Sequence, residues 1–397
     1  MSNSSSRGSS PAPQTSKVAT IAAAHATHDT YSSFLPPLLP VFIERFSLAK
    51  AEAGMLAVFL QGPSLLQPLI GHLGDRRDLR ALVALTPTVT AACMCLLGVA
   101  PGYGLIALLL VTAGISSAVL HSVAPVVTGR FSGGRLGFGM GFWMVGGELG
   151  RTIGPIVLVS AIAALGLAGL PWLMVGGLGA SALLAAGMRG AKPDPTARPR
   201  AGRVGDVWRA VRGFFLPLTG IVITRAFTMA AFTTFLPVYL REEGLGLWLA
   251  GASLSLLEAA GVAGALTGGF ASDLLGRRKV LAASLLVTPA LMVGFVHVSG
   301  WSRVPLLLGL GFAGLMATPV IMATVLESFP ENRALANGSY MALNFVGRAV
   351  AVVLVGALAD VVGMRQAFLV CAGVGILGTP FVFRLTRGPK RHEERRT

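Results

Sequence analysis

The sequence predicts an all-α membrane protein with twelve transmembrane helices in two pseudo-symmetric six-helix bundles. Composition supplies the first reason. Hydrophobic residues make up 53% of the 397 and charged residues only 12%, against roughly 25% charge in soluble chains. The second is length: apolar runs of about 20 residues, enough to cross a bilayer core as helix, recur along most of the chain. The third is repetition. One loop occurs twice, as GHLGDRRDLR at 71–80 and GFASDLLGRRKV at 269–280, with Asp75 and Asp273 198 residues apart.

The expected spans run 18–43, 51–73, 80–100, 103–128, 136–163 and 167–188, then 213–240, 246–274, 279–298, 303–328, 335–361 and 364–386. The first six make an N-terminal bundle over 17–188 and the rest a C-terminal bundle over 213–387. The Ser/Pro-rich stretch 1–16 lacks the short apolar core and cleavage site of a signal peptide and reads as a disordered cytoplasmic tail. The basic, Pro-rich segment 189–212 reads as a cytoplasmic linker, and 388–397 as a basic cytoplasmic tail. An even number of spans puts both termini on one side, and the basic loops assign that side to the cytoplasm. A bacterial-type inner (plasma) membrane is the expected location.

The net charge of +15 follows from that orientation. Only Arg45, Lys50, Arg241, Arg303 and Arg365 fall on the opposite side, and Arg151, Arg225 and Arg348 fall inside spans. Nucleic acid is excluded as a partner, because the basic segments lack interleaved aromatics for base stacking. Anionic lipid at the cytoplasmic face is the expected partner of the basic loops and of the amphipathic stretch near Trp208. Cys93, Cys95 and Cys371 lie in apolar runs, read as packing residues, and form neither a disulfide framework nor a metal-ligand spacing. No Ser/His/Asp array or phosphate-cradling loop appears, so neither enzyme activity nor a cofactor is expected.

The repeat extends beyond the aspartate loops. Phe34 and Phe235 open matching Phe-Leu-Pro runs, Arg135 matches Arg333, and Gly150-Arg151 matches Gly347-Arg348, at offsets of 201, 198 and 197 residues. Two similar halves related by an axis along the membrane normal suit a carrier that rocks about its middle.

With those motifs in place, the chain resembles the major facilitator superfamily. Gly71, Leu73, Gly74, Asp75 and Arg76 match its signature between spans two and three, with Asp78 where a later glycine is usual. Gly269, Asp273, Gly276, Arg277, Arg278 and Lys279 supply the second copy. AHATHDTYSSFLPPLLPVF at 24–42, SLLQPLIGHLGDR at 64–76 and SGGRLGFGMGFWMVGGELGRTIGP at 132–155 are similar to the fosmidomycin-resistance group of bacterial drug exporters. Gly141, Gly150, Gly154 and Pro155 match the antiporter motif of span five, whose following glycine pair is replaced by Leu158 and Val159. The resemblance implies proton-driven export of small drugs or toxic metabolites, and a basic residue at Arg225 suited to a phosphonate or other organic anion. Uptake of an organic anion or a sugar-like nutrient, with protons or sodium, remains open, as does, more remotely, a non-transporting membrane sensor. A monomer is expected.

Ionisable side chains inside spans are costly and mark function. His25 and Asp29 are four apart and share a helix face. Asp29, Glu258, Glu148 and His25 are the candidate proton carriers. Arg225, His121, Arg151, Arg348, Trp143 and Asn344 are the candidate substrate contacts. Overlaying the repeat puts Arg225 opposite position 24, so an Asp29–Arg225 pair across a central cavity is expected. Glu148 and Arg151 are three apart and can pair on one face. Arg348 is expected to meet Asn344 or Glu258. His28 points about 100° away from its neighbour and carries less expectation, as do Phe227, Phe232, Tyr340 and Phe345. Asp75, Arg76, Arg130, Asp273 and Arg277 are read as a gate latch at the cytoplasmic face. Glu327 and Glu331 are expected to form loop ion pairs, and Asp360 a solvated cap.

Overall fold

The computed structural model describes residues 14–132, 136–190, 204–329 and 333–385, and all regular structure in them is helical. Residues 1–13, 191–203 and 386–397 lie outside that description, and with them most of the expected tails and linker. Span one is α1 (Thr15–Ser32) followed by α2 (Leu35–Phe46). Span two is α3 (Lys50–Gln61), a tight turn at Gly62–Leu66, and α4 (Gln67–Arg76). Then come α5 (Arg80–Leu96), α6 (Tyr103–Phe131), α7 (Leu136–Leu165) and α8 (Met174–Gly187). The second half holds α9 (Val204–Glu242), α10 (Leu247–Leu275), α11 (Arg277–His297), α12 (Arg303–Ser328) and α13 (Arg333–Val362). Its last span is α14 (Met364–Ile376) with α15 (Thr379–Arg384).

Among the described residues, eleven stretches are long and apolar enough to cross a membrane. The twelfth is α1–α2, which departs from the expected single helix. Pro36 and Pro37 have no N–H to bond to the carbonyls of Ser32 and Ser33, so the helix breaks there. Pro63 and Pro68 break span two in the same way. The seventh apolar stretch runs Phe214–Glu242, close to the expected 213–240, but its helix starts at Val204, so the end of the expected linker is helical and continuous with the span. Gly276 (φ +95°) and Gly363 (φ +83°) make the sharp turns into α11 and α14, in a backbone region that side chains disfavour.

Each half packs around its own helices: α1 on α7, α8 and α5 in the first, α12 on α10 and α11 in the second. The halves meet where α3 packs on α13, α7 on α10, and α2 on α9. The internal repeat reaches individual contacts. A Cβ on Gly114 would come within 2.2 Å of the Leu60 carbonyl oxygen, and one on Gly311 within 2.0 Å of that of Leu257. Both members of the pair recur at an offset of 197, so the same backbone approach is built twice.

At the end expected to face away from the cytoplasm the halves are tied together. Arg241 pairs with Glu44 at 3.0 Å and Lys50 with Glu242 at 3.0 Å. Asp360 is exposed, as expected of a solvated cap, but it caps a helix of the other half. Its carboxylate accepts the backbone N–H groups of Lys50 (2.7 Å) and Ala51 (3.0 Å), capping α3 from the opposite half. Deeper in, Ser255 Oγ accepts the Ile156 N–H at 3.1 Å, where Pro155 at the preceding position interrupts the α7 ladder.

Candidate functional site

The buried charges separate by half. In the first, α7 lies against α1 because Gly146, Gly147, Gly150 and Gly154 present no side chains. A Cβ on Gly150 would fall 2.3 Å from the Ala26 carbonyl oxygen, and one on Gly147 2.6 Å from the His25 ring. On α1 and the neighbouring α6 three histidines and one carboxylate come together, with α7 closing over them. His25 Nε2 is 3.4 Å from Asp29 Oδ2, and His28 Nδ1 is 2.9 Å from Asp29 Oδ1. His121 on α6 places Nε2 3.7 Å from Asp29 Oδ1 and 3.2 Å from His25 Nε2. The Asp29 side chain is 6% exposed and that of His121 30%, so the cluster opens on the His121 side.

Each ring is oriented by a further partner. His25 Nδ1 is 2.9 Å from the Trp143 carbonyl oxygen, and the Trp143 indole stacks on the imidazole at 3.6 Å between centroids. His121 Nδ1 is 2.9 Å from the Ser117 carbonyl oxygen. His28 Nε2 is 3.0 Å from Thr90 Oγ1, and the chain continues through Ser116 Oγ to the Thr86 carbonyl oxygen, each step 3.0 Å. Donor atoms of His25, Asp29 and His121 all lie within 4.8 Å of one another, close enough to hold one metal ion.

The second half has the opposite character. Arg225 on α9 donates to the Gly314 carbonyl oxygen (2.9 Å) and Thr318 Oγ1 (2.6 Å) of α12. The expected Asp29–Arg225 pair is therefore not formed. Asp29 is satisfied by histidines of its own half, and α12 is the nearer neighbour of the guanidinium. Arg348 on α13 donates to Thr233 Oγ1 at 3.1 Å rather than to Asn344 or Glu258. Among the described residues neither arginine has a carboxylate within 4.0 Å, and the Nε of each is buried without a partner. Thr288 Oγ1, also buried and unpartnered, borders the same narrow cleft as Arg225. Asn344 sits half-buried one turn before Arg348.

Between the halves, Glu148 and Arg151 form the expected ion pair on α7, with Glu148 Oε2 left unpartnered. Glu258 on α10 makes no ion pair within 4.0 Å among the described residues, yet lies within electrostatic reach of Arg151, Glu148 and Arg348. Phe232 belongs to packing: it is buried against Phe295 and Phe368. Tyr340 is likewise in the core.

A model of the Major Facilitator Superfamily matches residues 21–269 and 254–397. The chain belongs to that superfamily. It is 26% identical over 371 residues to the fosmidomycin resistance protein of Escherichia coli (strain K12), covering 91% of each chain. It is 23% identical over 370 residues to an uncharacterized MFS-type transporter, YfnC, of Bacillus subtilis (strain 168), covering 89% of each. Among solved structures, the nucleoside transporter NupG (D323A mutant) superposes with a TM-score of 0.76 at 13% identity, covering 94% of this chain and all of that one. A bacterial homolog of the human lysosomal transporter Spinster, inward-facing and occupied, gives 0.75 at 14% identity, covering 94% and 96%. The protein is thus an integral membrane transporter of the superfamily rather than an enzyme.

The superfamily's two loop motifs are partly described. Asp75 and Arg76 end α4, and their side chains lie outside the described residues. Arg130 borders a cleft with Arg77, Asp78 and Arg80. Arg80 binds Asp78 through its side chain and backbone N–H, holding that carboxyl down at about 2. In the second copy Arg277 pairs with Asp273 (2.6 Å) and Glu327 (2.7 Å) and bonds Ser272. Glu331 lies outside the described residues.

Sequence reasoning found the acids and the arginines but gave too little weight to His28 and missed Thr90, Ser116, Ser117, Thr233 and Thr318. The signal available was the rarity of such polar groups in apolar spans. The pairing of Thr90, Thr318 and Thr233 with His28, Arg225 and Arg348, across 62 to 115 residues of chain, was not readable.

Proposed function

We propose that the protein is a proton-coupled antiporter that exports small organic anions, such as phosphonate compounds, by alternating access. One observation carries this reading: among the described residues Arg225 and Arg348, half-buried within spans, have no carboxylate within 4.0 Å, and each leaves a buried Nε without a partner. A buried guanidinium lacking an anion is costly, and a bound phosphonate or carboxylate relieves it with charge-assisted hydrogen bonds. Arg151, on the facing helix, adds a third positive group, while Trp143, His121 and Asn344 are further candidates for cargo contact. The name of the E. coli relative, 26% identical, supports the drug-export direction.

For proton exchange, Glu258 has the most suitable surroundings of the four candidate carriers. It lies among Arg151 of the first half and Arg348 of its own, so rocking changes which guanidinium it faces. Glu148 is committed to Arg151, and Asp29 and His25 belong to the cluster inside the N-terminal bundle. In the proposed cycle, anionic cargo binds the arginines from the cytoplasm and the halves rock. A proton then reaches Glu258 from outside, and the carrier returns loaded with the proton. Cargo and the ionised Glu258 are linked through the same arginines, and that linkage is the coupling. The five gate candidates Asp75, Arg76, Arg130, Asp273 and Arg277 hold the cytoplasmic ends of the bundles during the return.

The test is transport in proteoliposomes with an imposed pH gradient and a panel of phosphonates, carboxylates and uncharged drugs. Gradient-driven movement of anions by the wild type, abolished in Arg225→Ala, is expected. Equal movement of neutral compounds by both proteins would overturn the anion assignment.

A further inference from the structure

We propose that His25, Asp29 and His121 form a binding site for a divalent metal ion of the zinc class, with one coordination position open toward His121. The argument starts with the two imidazoles. Each ring directs Nδ1 to a backbone carbonyl oxygen, His25 to Trp143 and His121 to Ser117, both at 2.9 Å. A carbonyl only accepts, so each Nδ1 carries the hydrogen, and a neutral ring then keeps its lone pair on Nε2. Those two Nε2 atoms face each other at 3.2 Å. Two lone pairs at that distance repel unless a cation lies between them.

The carboxylate shows which cation fits. Asp29 places Oδ2 3.4 Å from the His25 Nε2 and Oδ1 3.7 Å from the His121 Nε2, and one donor atom from each of the three residues lies within 4.8 Å of the other two. Metal–ligand bonds of about 2.0–2.2 Å set neighbouring donors of a tetrahedral ion about 3.3–3.5 Å apart. The imidazole pair, at 3.2 Å, is close to one edge of that tetrahedron, and the carboxylate stands beside it as the third donor. A proton shared by the imidazoles satisfies one lone pair and leaves the carboxylate outside the bond. A zinc-class ion engages all three donors.

The surroundings are those of a supported site. Metal-bound histidines commonly donate their second nitrogen to a carbonyl, as both do here. Asp29 Oδ1 is held by His28 Nδ1 at 2.9 Å, and His28 is anchored in turn by Thr90. Two histidines and one carboxylate leave a tetrahedral ion one position short, the pattern of sites that also bind an exchangeable ligand. His121 is the accessible edge, and the other two donors are buried. This site stands on geometry inside one bundle and rests on neither Arg225 nor Glu258, although it shares His121 with the candidate cargo contacts and His25 and Asp29 with the candidate proton carriers.

The test uses the full chain, without a histidine tag, purified in detergent and stripped with a chelator. Cobalt(II) is added as the probe, because tetrahedral coordination gives intense visible absorption that six-coordinate cobalt lacks. One cobalt per chain with the tetrahedral spectrum, displaced by one equivalent of zinc, is expected. His121→Gln and Asp29→Asn are expected to weaken binding at least tenfold and to lose the spectrum, while His297→Ala, far from the cluster, leaves it unchanged. His121→Gln keeps a polar side chain at a partly exposed position, and an unchanged gel-filtration profile verifies its fold. No saturable binding by the wild type, or equal affinity in wild type and His121→Gln, would overturn the site.

Discussion

The two halves share one internal repeat but put opposite chemistry in matching spans. Span one carries Asp29 enclosed by three histidines, every donor oriented by a neighbour. Span seven carries Arg225, hydrogen-bonded to a carbonyl and a hydroxyl with one nitrogen unmet. The packing differs in the same sense. Gly150 is pressed against the α1 backbone, whereas its repeat equivalent Gly347 has nothing nearer than 3.7 Å to an added Cβ. A span enclosed by partners in one half and a span with an unmet positive group in the other teach that the repeated scaffold is kept while the polar positions differ.

The sharpest way to break the comparison is at those glycines. Gly150→Ala forces the α1 and α7 backbones apart and is expected to cost about 1–3 kcal/mol, the range for overpacking. Gly347→Ala is expected to change thermal stability in detergent little. Equal losses would mean that the halves are packed alike. Next in size is cargo binding. Arg225→Ala removes charge-assisted hydrogen bonds worth about 1.5–3 kcal/mol each, so anion affinity is expected to fall about ten- to hundredfold. Asp29→Asn is expected to leave the same binding curve nearly in place. Comparable losses from both would merge the two sites into one.

How much of this was legible in the sequence follows from the same contrast. Twelve spans, their repeat and the loop motifs rest on local composition, and the structure has them. The breaks at Pro36, Pro37, Pro63 and Pro68 were equally local, since a proline removes a specific helix bond. The partners were another matter. Asp29 and Arg225 looked like a pair because each is a costly ion in a matching span. Which way each side chain turns depends on α6 and α12, whose register no local pattern gives. His121 reaches His25 across 96 residues because α6 packs on α1, and Trp143 reaches the same ring because glycines let α7 close on α1. The cap from Asp360 to Lys50 and Ala51 joins residues about 310 apart and was invisible for the same reason.

Smaller effects test the ends of the molecule against its middle. Asp360→Ala removes the cap on α3 from the opposite half and is expected to cost the outward-closed state about 1 kcal/mol. That is about a fivefold shift in population, read as a lengthened distance between spin labels on the outer ends of α3 and α13. An unchanged distance distribution would show that the apolar contacts alone close that end. The smallest effect is expected at Asp78. Its carboxyl is held at about 2 by Arg80, below the unfolded value near 3.8. The contribution is therefore complete above the unfolded pKa and is lost only as pH falls through the folded one. Asp78→Asn is expected to leave the pH dependence of melting unaltered from about pH 5 to 8, and a difference there would assign the loop a titrating role.

The most direct measurement is anion-dependent proton movement in proteoliposomes, comparing wild type with Glu258→Gln. A pH gradient should drive a phosphonate through the wild type, and Glu258→Gln should exchange labelled for unlabelled anion at a similar rate while ignoring the gradient. A Glu258→Gln protein that still concentrates the anion against the pH gradient would contradict proton exchange at the centre of the molecule.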